Sequence, residues 1–252
     1  MAGHSKWANI KHRKAAQDAK RGKQFGKYIR AVEVAAREGN TSDPEQSPSL
    51  ALAIQKAKDG DVPKDTIERA AKRGAGELGD AAAYEAVQYE GYASGGVAVL
   101  VDCLTDNKNR TAGDVRNAFT KVGGNLAEPG AVAFLFSRRG QVVLDAAGTD
   151  EDEVMAVGLE HGMEDLEADD GSLVAWCDPS DVQDLRAALE GAGFEVTRAE
   201  APMVPASNTP VESATEAKQV LRLMDTLEDN DDVQDVWANF DIADELLEAV
   251  EA

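Results

Sequence analysis

Apolar side chains in the first third of the chain recur at helical spacing. The intervals of an amphipathic helix connect five of them: Phe25, Tyr28, Ile29, Val32 and Ala36. Ser47 before Pro48 is typical of an N-cap followed by proline in the first helical position, and Pro63 precedes a further helix over 64–73. The pattern predicts that residues 1–80 form a small all-helical domain.

The pattern changes to that of strands after this first domain. Residues 86–92 and 97–104 are rich in apolar and β-branched side chains and flank a glycine pair, as neighbouring strands do. Thr111 is the predicted N-cap of a helix that ends near Val122. The continuously apolar residues 131–136 predict a buried third strand.

The next stretch has its own order of strands and helices. Residues 138–206 follow the pattern β-α-β-β-α-β, the order of a ferredoxin-like split βαβ unit. A helix over 213–228 and a strand over 233–240 follow, and they complete the β-β-α-β series that precedes this unit. We therefore predict that the third domain is inserted in the second, with linkers at 137–140 and 201–210.

These elements predict an α+β protein with an N-terminal all-helical domain followed by two α/β-sandwich lobes. The predicted boundaries are 1–80 for the basic helical domain and 81–137 plus 207–252 for a discontinuous α+β domain. Residues 138–206 are predicted to form the inserted, acidic ferredoxin-like domain.

Charge is divided unevenly along the chain. The 252 residues carry 26 basic and 47 acidic side chains, a formal net charge of −21. Residues 1–37 nevertheless contain ten Lys or Arg and two acidic residues, whereas 141–252 contain four and 30. The overall charge argues against binding nucleic acid. Its uneven division predicts that the basic N-terminal residues bind a polyanion and that the acidic part of the chain repels one.

Composition excludes several protein classes. The longest apolar run, 131–136, is far shorter than the ~20 residues of a membrane-spanning helix, and no apolar segment follows the basic N-terminus as in a secretory signal. Cys103 and Cys177 lie far apart in strand-like contexts, which favours buried free thiols in a reducing compartment. We expect a cytoplasmic protein that does not associate with membranes.

The basic N-terminal segment is the strongest candidate binding site. A basic residue recurs every seven positions from Lys6 to Lys27 and would follow one face of a helix, matching phosphates along a groove. Trp7 offers a surface on which an unpaired base can stack. A solvated, charged helix end is the alternative. The candidate nucleic-acid-binding residues are His4, Lys6, Trp7, Lys11, His12, Arg13, Lys14, Lys20, Arg21, Lys23, Lys27 and Arg30.

A second, weaker group of basic residues lies on the predicted third helix and after the second strand. It comprises Lys64, Arg69, Lys72, Arg73, Lys108 and Arg110. Lys72 and Arg73 also suit a helix C-terminus, where the helix dipole favours cations. Lys108 and Arg110 precede a helix N-terminus, where anions bind, but the Asn and Asp residues around them also suit a turn.

Catalytic and metal-binding patterns are weak. His4 and His12 have no cysteine or acid nearby to complete a metal site. Asp102 and Asp106 could bind Mg²⁺, but acids at the end of a strand are usually turn residues. The sequence contains no phosphate-binding loop, dinucleotide fingerprint or nucleophile elbow. We expect a protein that is not an enzyme, with no catalytic residues, metal, cofactor or small-molecule substrate.

Two segments resemble a known family. The opening MAGHSKWANIKHRKAAQDAKRGKQF and the stretch YEGYASGGVAVLVDCLTDNKNRTAGDVRNAFTKVGGNLAEPGAVAFLF at 89–136 strongly resemble the YebC/PmpR family, which includes the mitochondrial translational activator of cytochrome oxidase. The resemblance covers essentially the whole chain. It implies three domains and a cytoplasmic, non-enzymatic regulator of gene expression.

The resemblance implies two functions. Members of the family are described as transcriptional regulators that bind DNA, whereas others act in translation on the ribosome and help synthesis through proline runs. The first hypothesis is a transcriptional regulator that binds DNA through the basic segment. The alternative is a ribosome-associated translation factor that binds ribosomal RNA and relieves stalling, with Trp7 or His4 stacked on an exposed base. The acidic third domain argues against nucleic acid wrapping broadly around the body.

Overall fold

Three helices pack together at the start of the described chain. The computed structural model describes residues 18–79, 84–169 and 171–251. The helices are α1 (Asp18–Glu38), α2 (Pro48–Asp59) and α3 (Lys64–Gly74). The predicted N-cap is confirmed, because the Ser47 hydroxyl accepts a hydrogen bond from the Leu50 amide at 3.3 Å. Gly74 allows α1 and α3 to pack closely, since a Cβ there would collide with the Glu33 carbonyl oxygen.

The first lobe is a four-stranded antiparallel sheet with two helices on one face. In order across the sheet, its strands are Val233–Ala238, Ala98–Thr105, Glu85–Tyr92 and Asn125–Leu126. Buried residues of both helices, among them Phe119 and Leu223, form one core with the sheet. The elements are β1 (Glu85–Tyr92), β2 (Ala98–Thr105), α4 (Lys108–Lys121), β3 (Asn125–Leu126), α7 (Ala214–Glu228) and β11 (Val233–Ala238).

The start of α4 differs from the prediction. The helix begins at Lys108, and Asn107 is its N-cap, with a side-chain oxygen that accepts from the Arg110 amide at 3.1 Å. Thr111 therefore lies inside the helix, where it is fully buried and its hydroxyl donates to a carboxylate oxygen of Asp232 at 2.8 Å. The prediction that Thr111 is the N-cap is wrong because an asparagine four residues earlier makes the capping contact.

The predicted strand over 131–136 is also wrong. This segment contains turns and a short 3₁₀ helix, Ala133–Leu135, and the third strand of the sheet is Asn125–Leu126 instead. The carboxylate of Glu90 accepts hydrogen bonds from the backbone amides of 130, 132 and 133. The amides of 132 and 133 are therefore not available to pair with a neighbouring strand. A contact from another element therefore overrides the apolar pattern.

The second lobe, which is the inserted third domain of the prediction, has the predicted ferredoxin-like order of elements. In order across the sheet, its antiparallel strands are Met163–Asp169, Ser172–Cys177, Gly140–Asp145 and Val196–Glu200, and two helices lie in the connections. The elements are β5 (Gly140–Asp145), α5 (Glu151–Leu159), β6 (Met163–Asp169), β7 (Ser172–Cys177), α6 (Val182–Gly191) and β8 (Val196–Glu200). They lie in sequence between β3 and β11, so the second lobe is inserted in the first, as predicted.

The two predicted linkers are not loose connections. β4 (Phe136–Arg138) pairs antiparallel with β9 (Met203–Pro205), so the chain enters and leaves the inserted lobe through a two-stranded ribbon. A second short pair, β10 (Thr209–Val211) with β12 (Phe240–Ile242), is parallel and precedes the last helix, α8 (Asp244–Glu251). The exact domain boundaries stay a prediction.

The helical domain contacts both lobes through ion pairs. The Lys56 ammonium lies 2.9 Å from a carboxylate oxygen of Asp235 in the first lobe. The guanidinium of Arg186 in the second lobe binds both oxygens of Asp59, at 2.8 and 3.2 Å. Within the described ranges, no helix is long and apolar enough to cross a membrane.

Candidate nucleic-acid interface

The predicted binding segment lies partly outside the described residues. The positions outside are His4, Lys6, Trp7, Lys11, His12, Arg13 and Lys14. Lys20 and Arg21 lie in the first turns of α1. Any role of the seven positions outside the described residues therefore stays a prediction.

Three predicted phosphate-binding cations instead contact the chain itself. Lys23, Lys27 and Arg30 lie on one face of α1 at spacings of four and three residues. The Lys27 ammonium donates to the Glu228 carbonyl at 2.6 Å and the Lys23 ammonium to the Asp229 carbonyl at 3.2 Å. Arg30 donates to the carbonyls of Asp231 at 2.6 Å and Leu104 at 3.0 Å.

These contacts have a clear electrostatic cause. α7 ends at Glu228, and the last carbonyls of a helix lack partners within the helix and carry the negative end of its dipole. Lys27 is 7% exposed, so its ammonium group is not available to a phosphate in this arrangement. Lys23, Lys27 and Arg30 therefore dock α1 on the first lobe. The Lys23 side chain stays 55% exposed, and a role of these three cations in phosphate binding stays a prediction.

Asp232 is the centre of this docking site. Its carboxylate is nearly buried and accepts from Arg110 at 2.7 Å and from the Thr111 hydroxyl at 2.8 Å. The Arg30 guanidinium lies 3.4 Å from the other carboxylate oxygen of Asp232. Burial alone would raise the pKa of Asp232, but these donors outweigh it, so the pKa lies below its ordinary value. Sequence reasoning missed this role, because the acidic run 228–232 resembles a plain loop.

Most of the second basic group is also engaged in ion pairs. Arg73 binds the buried carboxylate of Glu33 at 2.8 Å, and Arg110 binds both Asp232 and Asp106. Lys108 pairs with Glu85, and Lys64 lies 3.7 Å from Glu68. Within the described ranges, Arg69 and Lys72 are exposed without an ion pair. Of the second group, these two are the cations best placed to meet an external anion.

The exposed Lys and Arg side chains without ion pairs lie in the parts of the chain that are less acidic. In the described part of the protein they also include Lys58, Arg116, Lys121, Lys218 and Arg222, all on helices of the helical domain and the first lobe. In the second lobe, Arg139, Arg186 and Arg198 each pair with a carboxylate. The second lobe therefore presents mainly unneutralised acids and would repel a polyanion.

The loop over 127–135 is held in one shape by a buried carboxylate. Glu90 is 6% exposed, and its two oxygens accept from the amides of Gly130 at 2.6 Å, Val132 at 2.7 Å and Ala133 at 2.8 Å. Burial alone would raise the pKa of Glu90, but the three amide donors together lower it below its ordinary value. The loop exposes the ring of Phe134.

The residues considered for metal binding have other partners. The Asp102 carboxylate accepts a hydrogen bond from the side-chain amide of Gln88 at 2.8 Å and lies 3.7 Å from the Arg138 guanidinium. Asp106 pairs with Arg110. Among the described residues, no three His, Cys, Asp or Glu side chains are grouped as a metal site would require. Cys103 and Cys177 are buried free thiols, as predicted, and burial raises the pKa of each to about 12.

Comparison with known proteins gives matches over nearly the whole chain. Residues 5–77 match the TACO1/YebC protein N-terminal domain, and residues 84–240 match the TACO1/YebC second and third domain. A protein of Halothermothrix orenii is 52% identical over 99% of this chain and 99% of its own length. One of Saccharopolyspora erythraea is 52% identical over 100% of both. Both relatives are named "Probable transcriptional regulatory protein".

A solved structure has the same fold. The crystal structure of a conserved hypothetical protein from Aquifex aeolicus superposes with a TM-score of 0.80 at 42% sequence identity. The match covers 91% of this chain and 94% of that one. The predicted fold class is therefore confirmed.

Proposed function

Because the chain belongs to the TACO1/YebC family, as its sequence indicated, we propose that it is a non-enzymatic regulator of gene expression that binds nucleic acid. The proposed contact is the basic N-terminal segment. The name printed for the relatives suggests a transcriptional role, with DNA as the target.

The division of charge carries this proposal. Ten basic residues stand within the first 37 of a chain whose net charge is −21. Some of them, Lys23, Lys27 and Arg30, are used to dock α1 on the first lobe. The basic residues from Lys6 to Lys14 precede the docked part of the helix, and they are the proposed phosphate contacts.

The docked helix gives the segment a fixed point of attachment. α1 is anchored at the 228–232 loop and, through Arg37, at the Tyr84 carbonyl, so the helix that follows the basic segment in the chain is held on the body. The acidic second lobe disfavours phosphates on its own surface. Affinity would then come mainly from counterion release at the basic segment and depend steeply on salt.

The test replaces Lys11, Arg13 and Lys14 together by glutamine. Binding to a labelled promoter-length DNA duplex and to ribosomal RNA is measured over a range of salt concentrations. Each lost phosphate contact is expected to reduce the salt slope by about 0.7–0.9. The matched control replaces Arg116, Lys121 and Lys218, which changes the net charge equally on exposed helices of the body. Equal weakening by both triples would mean that overall charge, and not the segment, governs binding.

A ribosome-associated translation factor is the second candidate. It is favoured by the arrangement of three units that are joined through ion pairs and expose the loop over 127–135, which Glu90 holds in one shape. Such an arrangement suits a structured RNA cavity better than a straight duplex. The test is sedimentation of tagged protein with ribosomes from growing cells, with and without nuclease. Co-migration that survives nuclease would support this candidate, and recovery of promoter fragments without ribosomes would support DNA.

A further inference from the structure

We propose that Phe134 is a stacking platform for an unpaired nucleobase, so that the nucleic acid bound by this protein contains a single-stranded or looped segment. The inference rests on the proposed function and specifies its ligand. Three features of the loop over 127–135 support it: the exposure of the ring, the rigidity of the backbone that carries it, and the chemistry of its surroundings.

The ring of Phe134 is unusually exposed. It is 75% exposed, more than Leu78, Leu159 or Met155, the other large apolar side chains at the surface of the described residues. Its neighbours in sequence contrast with it, since Val132 and Phe136 are buried in a cluster with Trp237. The loop therefore buries the apolar side chains on either side of Phe134 and leaves its ring in solvent.

The backbone beneath the ring is fixed from several directions. Glu90 binds three of the loop amides from the sheet below. The Tyr92 hydroxyl donates to the Ala131 carbonyl at 3.0 Å, and the Ala206 amide donates to the Leu135 carbonyl at 2.8 Å. A backbone held in this way loses little conformational freedom when the ring it carries binds a partner, which favours affinity.

The surroundings favour a base over a protein. A protein interface needs a contiguous apolar patch with a polar rim, and Phe134 stands alone, with Ala133 and Leu135 partly buried beside it. A nucleobase needs a single aromatic face. The segment 127–135 contains no Lys or Arg and one acid, Glu128. The phosphates next to a base stacked on Phe134 would therefore be bound by basic residues outside this loop.

The experiment compares four variants on two kinds of probe. Phe134→Ala, Phe134→Leu, Phe134→Tyr and the control Leu159→Ala, which removes an exposed apolar side chain from the acidic lobe, are titrated with labelled hairpins that have an unpaired loop. The same titration uses fully paired duplexes, each as RNA and as DNA. The alanine and leucine variants should bind the hairpins about 5- to 150-fold more weakly, and the tyrosine variant within about twofold of the unchanged protein. Duplex binding and the control should change little.

Several outcomes would overturn the inference. Unchanged hairpin binding by Phe134→Ala would exclude stacking, and full affinity of Phe134→Leu would show an apolar contact that needs no ring. Equal melting temperatures of all variants establish that any loss is not caused by misfolding. If Lys11, Arg13 and Lys14 are needed and Phe134 is not, the proposed function stands and this inference fails. If the unchanged protein binds no probe, both fail. The RNA and DNA arms show which nucleic acid supplies the base.

Discussion

At the scale of single residues, two of the acidic side chains that are nearly excluded from water have several hydrogen-bond donors that favour the ionised form. Glu90 binds three backbone amides of one loop, and Asp232 binds cations and hydroxyls from several elements. The pKa of each lies below its ordinary value. In a chain with an excess of acids, these two therefore have structural roles that their exposed neighbours do not share.

Replacing Glu90 by glutamine tests the first of these roles. The amide keeps the shape of the side chain but offers one accepting oxygen in place of two, so at least one loop amide loses a charge-assisted bond. We expect the free energy of unfolding to fall by about 1–3 kcal/mol and the amides of 130–133 to exchange hydrogen faster. Urea unfolding and hydrogen exchange measure these changes. Glu128→Gln, on the exposed part of the same loop, is the control and should leave both unchanged.

Replacing Asp232 by asparagine tests the second role and its pH dependence. We expect a loss of about 2 kcal/mol at neutral pH, since hydrogen bonds to a charged group are removed. An acid whose pKa is lower in the folded state stabilises the protein above its unfolded pKa of about 3.9 and loses that contribution as the pH falls further. The difference in melting temperature should therefore shrink below about pH 4. Asp231→Asn, which alters an exposed neighbour, should show neither effect.

At the scale of elements, capping was predictable where the capping residue directly precedes a recognisable helix start. Ser47 and Pro48 stand side by side, and the structure confirms the N-cap. Thr111 matched the same rule, but Asn107 makes the contact instead. The segment 131–136 has the composition of a strand, but 131–135 folds as a loop because Glu90, some forty residues earlier in the chain, binds the amides of 132 and 133. Local patterns therefore fail where a distant side chain competes for the backbone.

The docking of α1 gives a prediction that separates structural cations from phosphate contacts. Lys27→Gln removes the buried ammonium from the Glu228 carbonyl, and we expect a loss of stability of about 1 kcal/mol. The salt slope of nucleic-acid binding should stay the same, because this lysine contacts no phosphate. Denaturant unfolding and salt titration measure the two effects. The control is Lys58→Gln on α2, where the lysine is exposed, and it should alter neither property. A reduced slope for Lys27→Gln would mean that α1 leaves its docking site when nucleic acid binds.

At the scale of the whole molecule, the helical domain joins two lobes that are continuous with each other through the ribbon β4–β9. Its contacts with the lobes include two ion pairs, Lys56 with Asp235 and Asp59 with Arg186. The second pair is bidentate and partly shielded from water. Such pairs set the orientation of domains more than they add to stability.

Replacing Asp59 by asparagine should therefore loosen the second lobe with little loss of stability. We expect the free energy of unfolding to change by no more than about 1 kcal/mol. The amides of α2 and α6 should become less protected, and small-angle scattering should report a larger radius of gyration. Glu160→Gln removes an exposed acid of the same lobe and serves as the control. An unchanged radius would show that apolar contacts, such as that of Leu52 with the core of the second lobe, hold the orientation without the ion pair.

The amino-acid sequence by itself determined the order of most helices and strands, with the segment 125–136 as an exception. It also determined the insertion of one lobe in the other, the burial of both cysteines and the concentration of basic residues at the N-terminus. These properties depend on the periodicity and composition of short stretches of sequence. A segment has that periodicity and composition whatever it packs against in the folded protein. The tertiary structure alone decided which cations are engaged and how the loop over 127–135 is shaped. Lys27 and its partner Glu228 are separated by 201 residues, and Glu90 and Gly130 by 40. Contacts between such distant positions exist only once the chain has folded, because no local pattern specifies which carbonyl or amide a charged side chain will meet.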